Sequence, residues 1–272
     1  MYHKKLSYPS TLPTQFHELR KYWINKIFDF SDRLKLRNIT VQTAIIYLDT
    51  LLSIGSYENL EKDKVLWSAT ALFLAAKYIE IDDNIPYIRE LQKIIGSSSY
   101  TSEIFIKCEK VMLKAMDWDL MVVTPLNFTT CILSYSVLFG DDKVKITDSR
   151  GIEAYHYVSN IKSQDLGIFK QAQGSFVEEN TKDIKKESWQ KQLEKVIESI
   201  RKYAEFFADV AVQSFDIQQY SYALQGIYSV LAARDVLGVQ PVWNPQFDLF
   251  TSLHKSVIKS KIQEVGIISN FL

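Results

Sequence analysis

Few residues in this chain have the type and spacing that covalent or acid–base chemistry needs. The four histidines are His3, His17, His156 and His254. None shows the i, i+4 spacing that sets two imidazoles on one helix face to hold a metal. Cys108 and Cys131 lack metal-ligand spacing and form no disulfide framework, which favours a reducing compartment. No glycine-rich loop is present to cradle a phosphate. His156, between Tyr155 and Tyr157, reads as a packed residue rather than an acid–base group. Catalysis on this chain is not expected, and nothing in the sequence asks for a metal or a cofactor.

Two charges are more informative. Lys77 follows the apolar run ALFLAA, and Glu109 interrupts an apolar helical pattern. Each alone has a plain explanation. A cation near a helix C-terminus is favoured by the helix dipole, and a lysine stem can snorkel. A glutamate can simply face water.

The elements that carry these charges are helical by pattern. Glycine numbers nine and proline six in 272 residues, too few breakers for a many-turned β fold. Phe16, Leu19, Trp23, Ile24 and Ile27 recur at helical spacing. The next helix opens near Asn38, with Val41, Ala44, Ile45, Leu48, Leu51 and Leu52 on its stripe. Residues 65–81 are small or apolar around most of the circumference, so that helix should be surrounded by others. A weaker helix follows at about 87–95. Another spans about 101–116, with Ile104, Cys108, Val111, Met112 and Ala115 facing inward. Pro125 is the expected domain boundary. Beyond it a helix is expected at about 127–139, then a polar stretch over 140–190. An amphipathic helix with Leu193, Ile197, Ile200, Ala204, Phe207 and Ala211 comes next, and a small-residue helix at 219–237. The fold class is therefore all-α, as two bundles in tandem, the second with a long insertion.

Thirty-two basic residues balance thirty-two acidic ones, so the basic excess of a nucleic-acid binder is missing. The longest apolar run in the central helix, Ala71 to Ala76, is far short of a membrane span. Neither nucleic acid nor membrane is an expected partner, and the nucleus, the cytoplasm or both are the expected location.

The segment around Lys77 and Glu109 resembles the cyclin box. That pattern has an arginine in helix one, an aspartate in helix two, a leucine and a lysine in helix three and a glutamate in helix five. Here Arg20, Asp49, Leu66, Lys77 and Glu109 stand in that order at compatible spacing. The phrases LRNITVQTAIIYLDTLLS, ALFLAAKYIEI and CEKVMLKAMDWDLMVVTPLNF read like cyclin sequence. The resemblance implies tandem five-helix bundles: an arm over 1–15, a cyclin box over 16–124, and a cyclin-like bundle over 125–272 with its insertion at about 140–190.

It also implies roles. Arg20 and Asp49 would form a buried ion pair joining the first two helices, with Leu66 in the core. Lys77 and Glu109 would bind main-chain groups of a cyclin-dependent kinase beside its regulatory helix. Leu74, Tyr78, Leu113 and Leu120 would line an apolar slot for a kinase side chain. The implied function is a non-catalytic subunit that binds and activates that kinase as a heterodimer, in cell-cycle control. Related readings are a transcriptional-type cyclin acting with a polymerase-directed kinase, and a cyclin-fold adaptor that binds no kinase. Kinase substrates or inhibitors are further expected partners. Their docking patch would fall on Leu19, Tyr22, Trp23 and Lys26, degenerate because lysine stands where the family has tryptophan.

Overall fold

Helix α1 (Thr14–Leu34) buries Leu19, Trp23, Ile24, Ile27 and Phe30, the stripe its spacing predicts. This computed structural model describes residues 14–53, 63–97, 99–147, 150–162 and 178–248. The expected arm falls almost wholly outside those residues, as does the side chain of Phe16.

Helix α2 (Asn38–Ser53) is buried on nearly every side, not only on its predicted stripe: Thr40, Gln42, Thr43 and Asp49 are enclosed as well. Asn38 is its first helical residue, and the Asn38 side-chain Nδ2 donates to the Asp209 carboxylate at 3.2 Å. Helix α3 (Lys64–Ile79) starts where the Asp63 carboxylate accepts from the Leu66 amide. It packs against α1 and α2, and against α4 (Ile88–Ile95) and α5 (Ser102–Ala115). Ala69, Ala71, Ala75 and Ala76 have no exposed surface, so neighbouring backbones approach closely on several sides. Gly96 ends α4 at φ +74°, a left-handed position that glycine adopts without Cβ strain.

Helix α5 corrects one inward assignment. Phe105 and Met112 are its buried residues, whereas Val111 is about half exposed. The buried positions are seven apart, and Val111 lies one step off that line.

Pro125 does not break the chain. It opens helix α6 (Pro125–Tyr135), where its missing N–H costs nothing. Thr124 and Asn127 cap that helix reciprocally. The Thr124 amide donates to Asn127 Oδ1 at 2.9 Å, and the Asn127 amide donates to Thr124 Oγ1 at 3.3 Å.

The chain divides into two compact units, and the division is not a single cut. The first contains residues up to Phe128 together with Asp209–Gly226. The second contains Thr129–Ala208 and the chain from Ile227 onward. Helix α8 (Glu178–Gln213) therefore enters the first unit with its last turn, and α9 (Tyr222–Val236) leaves it after Gly226.

In the second unit the 140–190 stretch is not featureless. Strands β1 (Lys143–Thr147) and β2 (Glu153–Tyr157) form an antiparallel hairpin, followed by the short helix α7 (Val158–Lys162). Val144 and Ile146 point inward while their neighbours point out, a period of two masked in the sequence by lysines. The described part of this unit also holds most of α6, α8 to Ala208 and most of α9. The chain after Asp248, where the rest of the expected second bundle falls, lies outside the described residues. Among the described residues no helix is long and apolar enough to cross a membrane.

Candidate functional site

Two ion pairs of the first unit bear on the candidate site, one inside and one at the surface. Inside, Arg20 on α1 meets Asp49 on α2 with two parallel bonds, Nε to Oδ1 at 2.8 Å and Nη2 to Oδ2 at 2.9 Å. Both side chains are almost completely buried. The guanidinium has a further task that the sequence does not reveal. Nη1 donates to the Gln213 carbonyl at 2.8 Å, and Nη2 donates to the Val212 carbonyl at 2.7 Å. These carbonyls end α8 and lack intrahelical donors. One arginine thus ties α1, α2 and the last turn of α8 together. The Tyr222 phenol beside this pair is held protonated, well above its ordinary range, first by burial and then by the Asp49 charge. Leu66 is buried in the core.

At the surface, Lys77 in the last turn of α3 pairs with Glu109 on α5. The lysine side chain is 37% exposed and the glutamate 14%. The ammonium also lies over the Phe73 ring, 4.5 Å from its centroid. The two charges that the resemblance assigns to separate backbone contacts are therefore partners of each other here. Phe73 also lines an open groove of about 850 Å³, with Ile85, Pro86 and Ile88 among its walls.

The expected slot residues split into three kinds. Leu74 is buried in the core, so it backs the surface and does not line it. Leu113 and Leu120 are half-buried at its edge. Tyr78 is 47% exposed. The Leu120 carbonyl accepts from the Tyr47 hydroxyl at 2.8 Å, which fastens the segment after α5 to α2. Burial, then the nearby Tyr78 and Asp119, push the Tyr47 phenol well above its usual range, so it stays a donor.

Trp118 is the residue that sequence reasoning missed. Helix α5 ends in a Schellman turn. The Trp118 amide donates to Leu113 O at 2.8 Å, and the Asp117 amide donates to Lys114 O at 3.1 Å. Glycine usually fills the left-handed position of this turn. Here Asp117 has φ +54° and Trp118 φ +61°. Aspartate tolerates that region, but a bulky side chain there is strained. The strained turn presents Trp118 to solvent, 67% exposed, near Met121 at 65%. A helix end without glycine, MDWDL, is the signal that could have found it.

A second missed feature braces α3. The Glu80 carboxylate accepts from the Arg37 amide at 3.0 Å, from Arg37 Nε at 2.9 Å and from the Thr40 hydroxyl. Burial alone would raise the Glu80 pKa, but these donors outweigh it and hold the group below its ordinary value.

The substrate-docking assignment needs correction. Leu19 and Trp23 are buried in the core at 2% and 1% exposure and offer no surface to a peptide. They stand at i, i+4 with Ile27, on the stripe that packs the bundle. Tyr22 and Lys26 lie on its flank, with the Lys26 ammonium 5.9 Å from the Tyr22 ring. Among the described residues no group of acidic, histidine or cysteine side chains is arranged to hold a metal ion.

Residues 1–121 match the family described as cyclin, N-terminal domain. That match covers a little under half of the chain and points to the cyclin family. Cyclin puc1 of Schizosaccharomyces pombe is 29% identical over 89 residues, 30% of this chain and 24% of that protein. G2/mitotic-specific cyclin-A of Drosophila melanogaster is 30% identical over 122 residues, 45% of this chain and 23% of its own length. Cyclin-J of Xenopus laevis is 22% identical over 229 residues, 83% of this chain and 48% of that relative. The chain thus spans about a quarter to a half of the length of these relatives.

Proposed function

We propose that this chain is a cyclin, and that it binds and activates a cyclin-dependent serine/threonine kinase through the face that carries Lys77, Glu109, Tyr78 and Trp118. One observation carries the reading. A half-exposed ion pair sits at the surface of a rigid helical core, and large apolar side chains stand exposed on the same elements. Apolar anchors beside a few committed polar groups are the usual anatomy of a binding hot spot.

The proposed mechanism exchanges partners. On binding, Lys77 turns its three donors to kinase carbonyls, and Glu109 accepts from kinase amides. A kinase needs its regulatory glutamate paired with its catalytic lysine before phosphoryl transfer. A surface that binds only that arrangement raises its population, and a swing from mostly off to mostly on takes about 5 kcal/mol of differential affinity. The chain itself performs no bond chemistry in this scheme. Control of cell division is the proposed setting, supported by the G2/mitotic-specific name of one relative. The nucleus, the cytoplasm or both are the proposed location.

The test is direct binding to a purified cyclin-dependent kinase by calorimetry, for the wild type, Lys77→Ala and Glu109→Ala. Each variant is expected to bind at least ten-fold more weakly while its melting temperature hardly moves. Equal binding by all three proteins would remove the interface assignment.

A further inference from the structure

The hairpin of the second unit is packed on the β1 side of its inner face and along its β1 edge, and is open on its outer face and along β2. Its inner face carries Val144 and Ile146, fully enclosed, and His156, whose ring lies 4.5 Å from that of Trp189 on α8. The outer edge of β1 is also occupied. Lys143 and Gln240 exchange backbone bonds at 2.7 and 3.0 Å. At the other end the Gln192 side chain imitates a strand: its oxygen accepts from the Thr147 amide at 3.0 Å, and its nitrogen donates to the Thr147 carbonyl at 2.9 Å.

The register fixes what is left. Lys143 and Thr147 direct their backbone away from β2, so their partners Tyr157 and Glu153 direct theirs away from β1. The Asp142 carbonyl accepts from the Val158 amide at 2.9 Å, which confirms the alternation. Glu153 and Tyr155 therefore aim both their N–H and C=O groups outward, and Tyr157 its N–H, while the Tyr157 carbonyl opens helix α7. Among the described residues, no backbone hydrogen bond from outside α7 reaches this edge. Natural sheets blunt such edges with lysine, proline or a bulge. The strand Glu-Ala-Tyr-His-Tyr has none of these.

We propose that the β2 edge binds an extended segment of another protein by strand addition, and that this segment carries an acidic residue. The charge of the hairpin's outer face selects the chemistry. Lys145 is neutralised by Glu153 across the strands. Lys143 has no carboxylate among the described residues, and its ammonium leans over the Tyr157 ring at 4.9 Å. That places it toward the open edge, where an acidic side chain opposite Tyr157 on the added strand would meet it. Tyr155 and Tyr157, each nearly half exposed, supply aromatic contact on the same face. Main-chain bonds give such binding its affinity, and alternate side chains give its specificity. A second copy of this chain is the weaker occupant. Two five-residue strands bury far less than the ~1,200 Å² at which stable interfaces begin.

The probes are two labelled seven-residue peptides of alternating valine and charged residues, one with glutamate and one with lysine, titrated by fluorescence anisotropy. The glutamate peptide is expected to bind at least five-fold more tightly. Lys143→Glu should reverse that order. Tyr155→Pro removes an outward N–H and the phenol ring but no bond of the β1–β2 ladder, so it should abolish binding and preserve the melting temperature. Equal binding of the two peptides, binding of neither, or binding undisturbed by Tyr155→Pro would each overturn the proposal. A dimer in sedimentation that Tyr155→Pro dissociates would overturn it as well, by showing that a second copy holds the edge. None of these outcomes depends on the kinase-binding reading.

Discussion

Arg20–Asp49 and Lys77–Glu109 both join neighbouring helices of the same unit, yet they differ in each factor that sets what an ion pair contributes. The first has side-chain exposures of 4% and 1%, a two-pronged geometry and two further backbone carbonyls on its guanidinium. The second is 37% and 14% exposed, and the lysine's other neighbour is an aromatic ring. A buried and saturated pair holds a fold, because removing one member strands the other charge. A half-exposed pair contributes about 0–1 kcal/mol to stability and can change partners cheaply. The second unit repeats the first solution. Arg234 and Asp142 are wholly buried, and the guanidinium also donates to the carbonyls of Val137, Pro241 and Val242. Each unit thus has its own internal arginine knot, and Lys77–Glu109 has none of a knot's supporting bonds.

The largest effects should come from the knots. Arg20→Ala is expected to lower unfolding free energy by ~3–5 kcal/mol in urea titrations, and Arg234→Ala by a similar amount. Arg20→Lys should recover only part of the loss, since one ammonium cannot replace the fork that serves both Asp49 and the end of α8. A loss below about 1 kcal/mol in Arg20→Ala would erase the contrast with the surface pair.

Lys77→Ala, Glu109→Ala and the double variant sharpen the comparison from the other side. Each should cost under ~1 kcal/mol of stability. In a double-mutant cycle the coupling should be small for folding, while each single change weakens kinase binding at least ten-fold. A large folding coupling would make the pair a structural brace.

Much of this contrast was legible in the sequence, and the gaps have physical causes. Arg20, Asp49, Lys77 and Glu109 could be named from type and spacing, because helical periodicity fixes which positions share a face. Burial relative to partners could not be read the same way. Spacing puts Leu19 and Trp23 on the inward stripe of α1, and the docking role that the resemblance implies needs them outside, where packing does not leave them. Val111 was misassigned because a stripe one residue wide of the true line matches the period almost as well. The reach of Arg20 to Val212 and Gln213 joins residues some 190 positions apart, which no local pattern encodes. The β1–β2 hairpin was lost among charged residues, since its alternation lasts only five residues per strand.

Glu80 offers a test that separates buried from surface electrostatics by pH. Its folded pKa lies below its ordinary value, so its contribution is complete above the unfolded value of about 4.3 and fades as pH falls through the folded value. The wild type should lose stability as pH falls below about 4.3. Glu80→Gln should lose less over the same interval, having no carboxylate to protonate. Parallel acid limbs in chemical denaturation would show that Glu80 carries no such linkage.

The smallest stability change, and the most diagnostic, is expected at Trp118. Its left-handed backbone stores strain of about 1 kcal/mol or more, which glycine would release. Glycine also gains freedom in the unfolded chain, which offsets much of that release. The net shift for Trp118→Gly should therefore be a few tenths of a kcal/mol, with a thermal midpoint almost unchanged. Kinase binding should nevertheless fall markedly, because the variant deletes a large exposed aromatic from the proposed face. Strain kept at a helix end for no gain in stability is what an interface residue would show, and a core residue would not. If Trp118→Gly melts several degrees lower and binds the kinase normally, the tryptophan belongs with Arg20 among the residues that hold the fold, and the proposed face shrinks to Lys77, Glu109 and Tyr78.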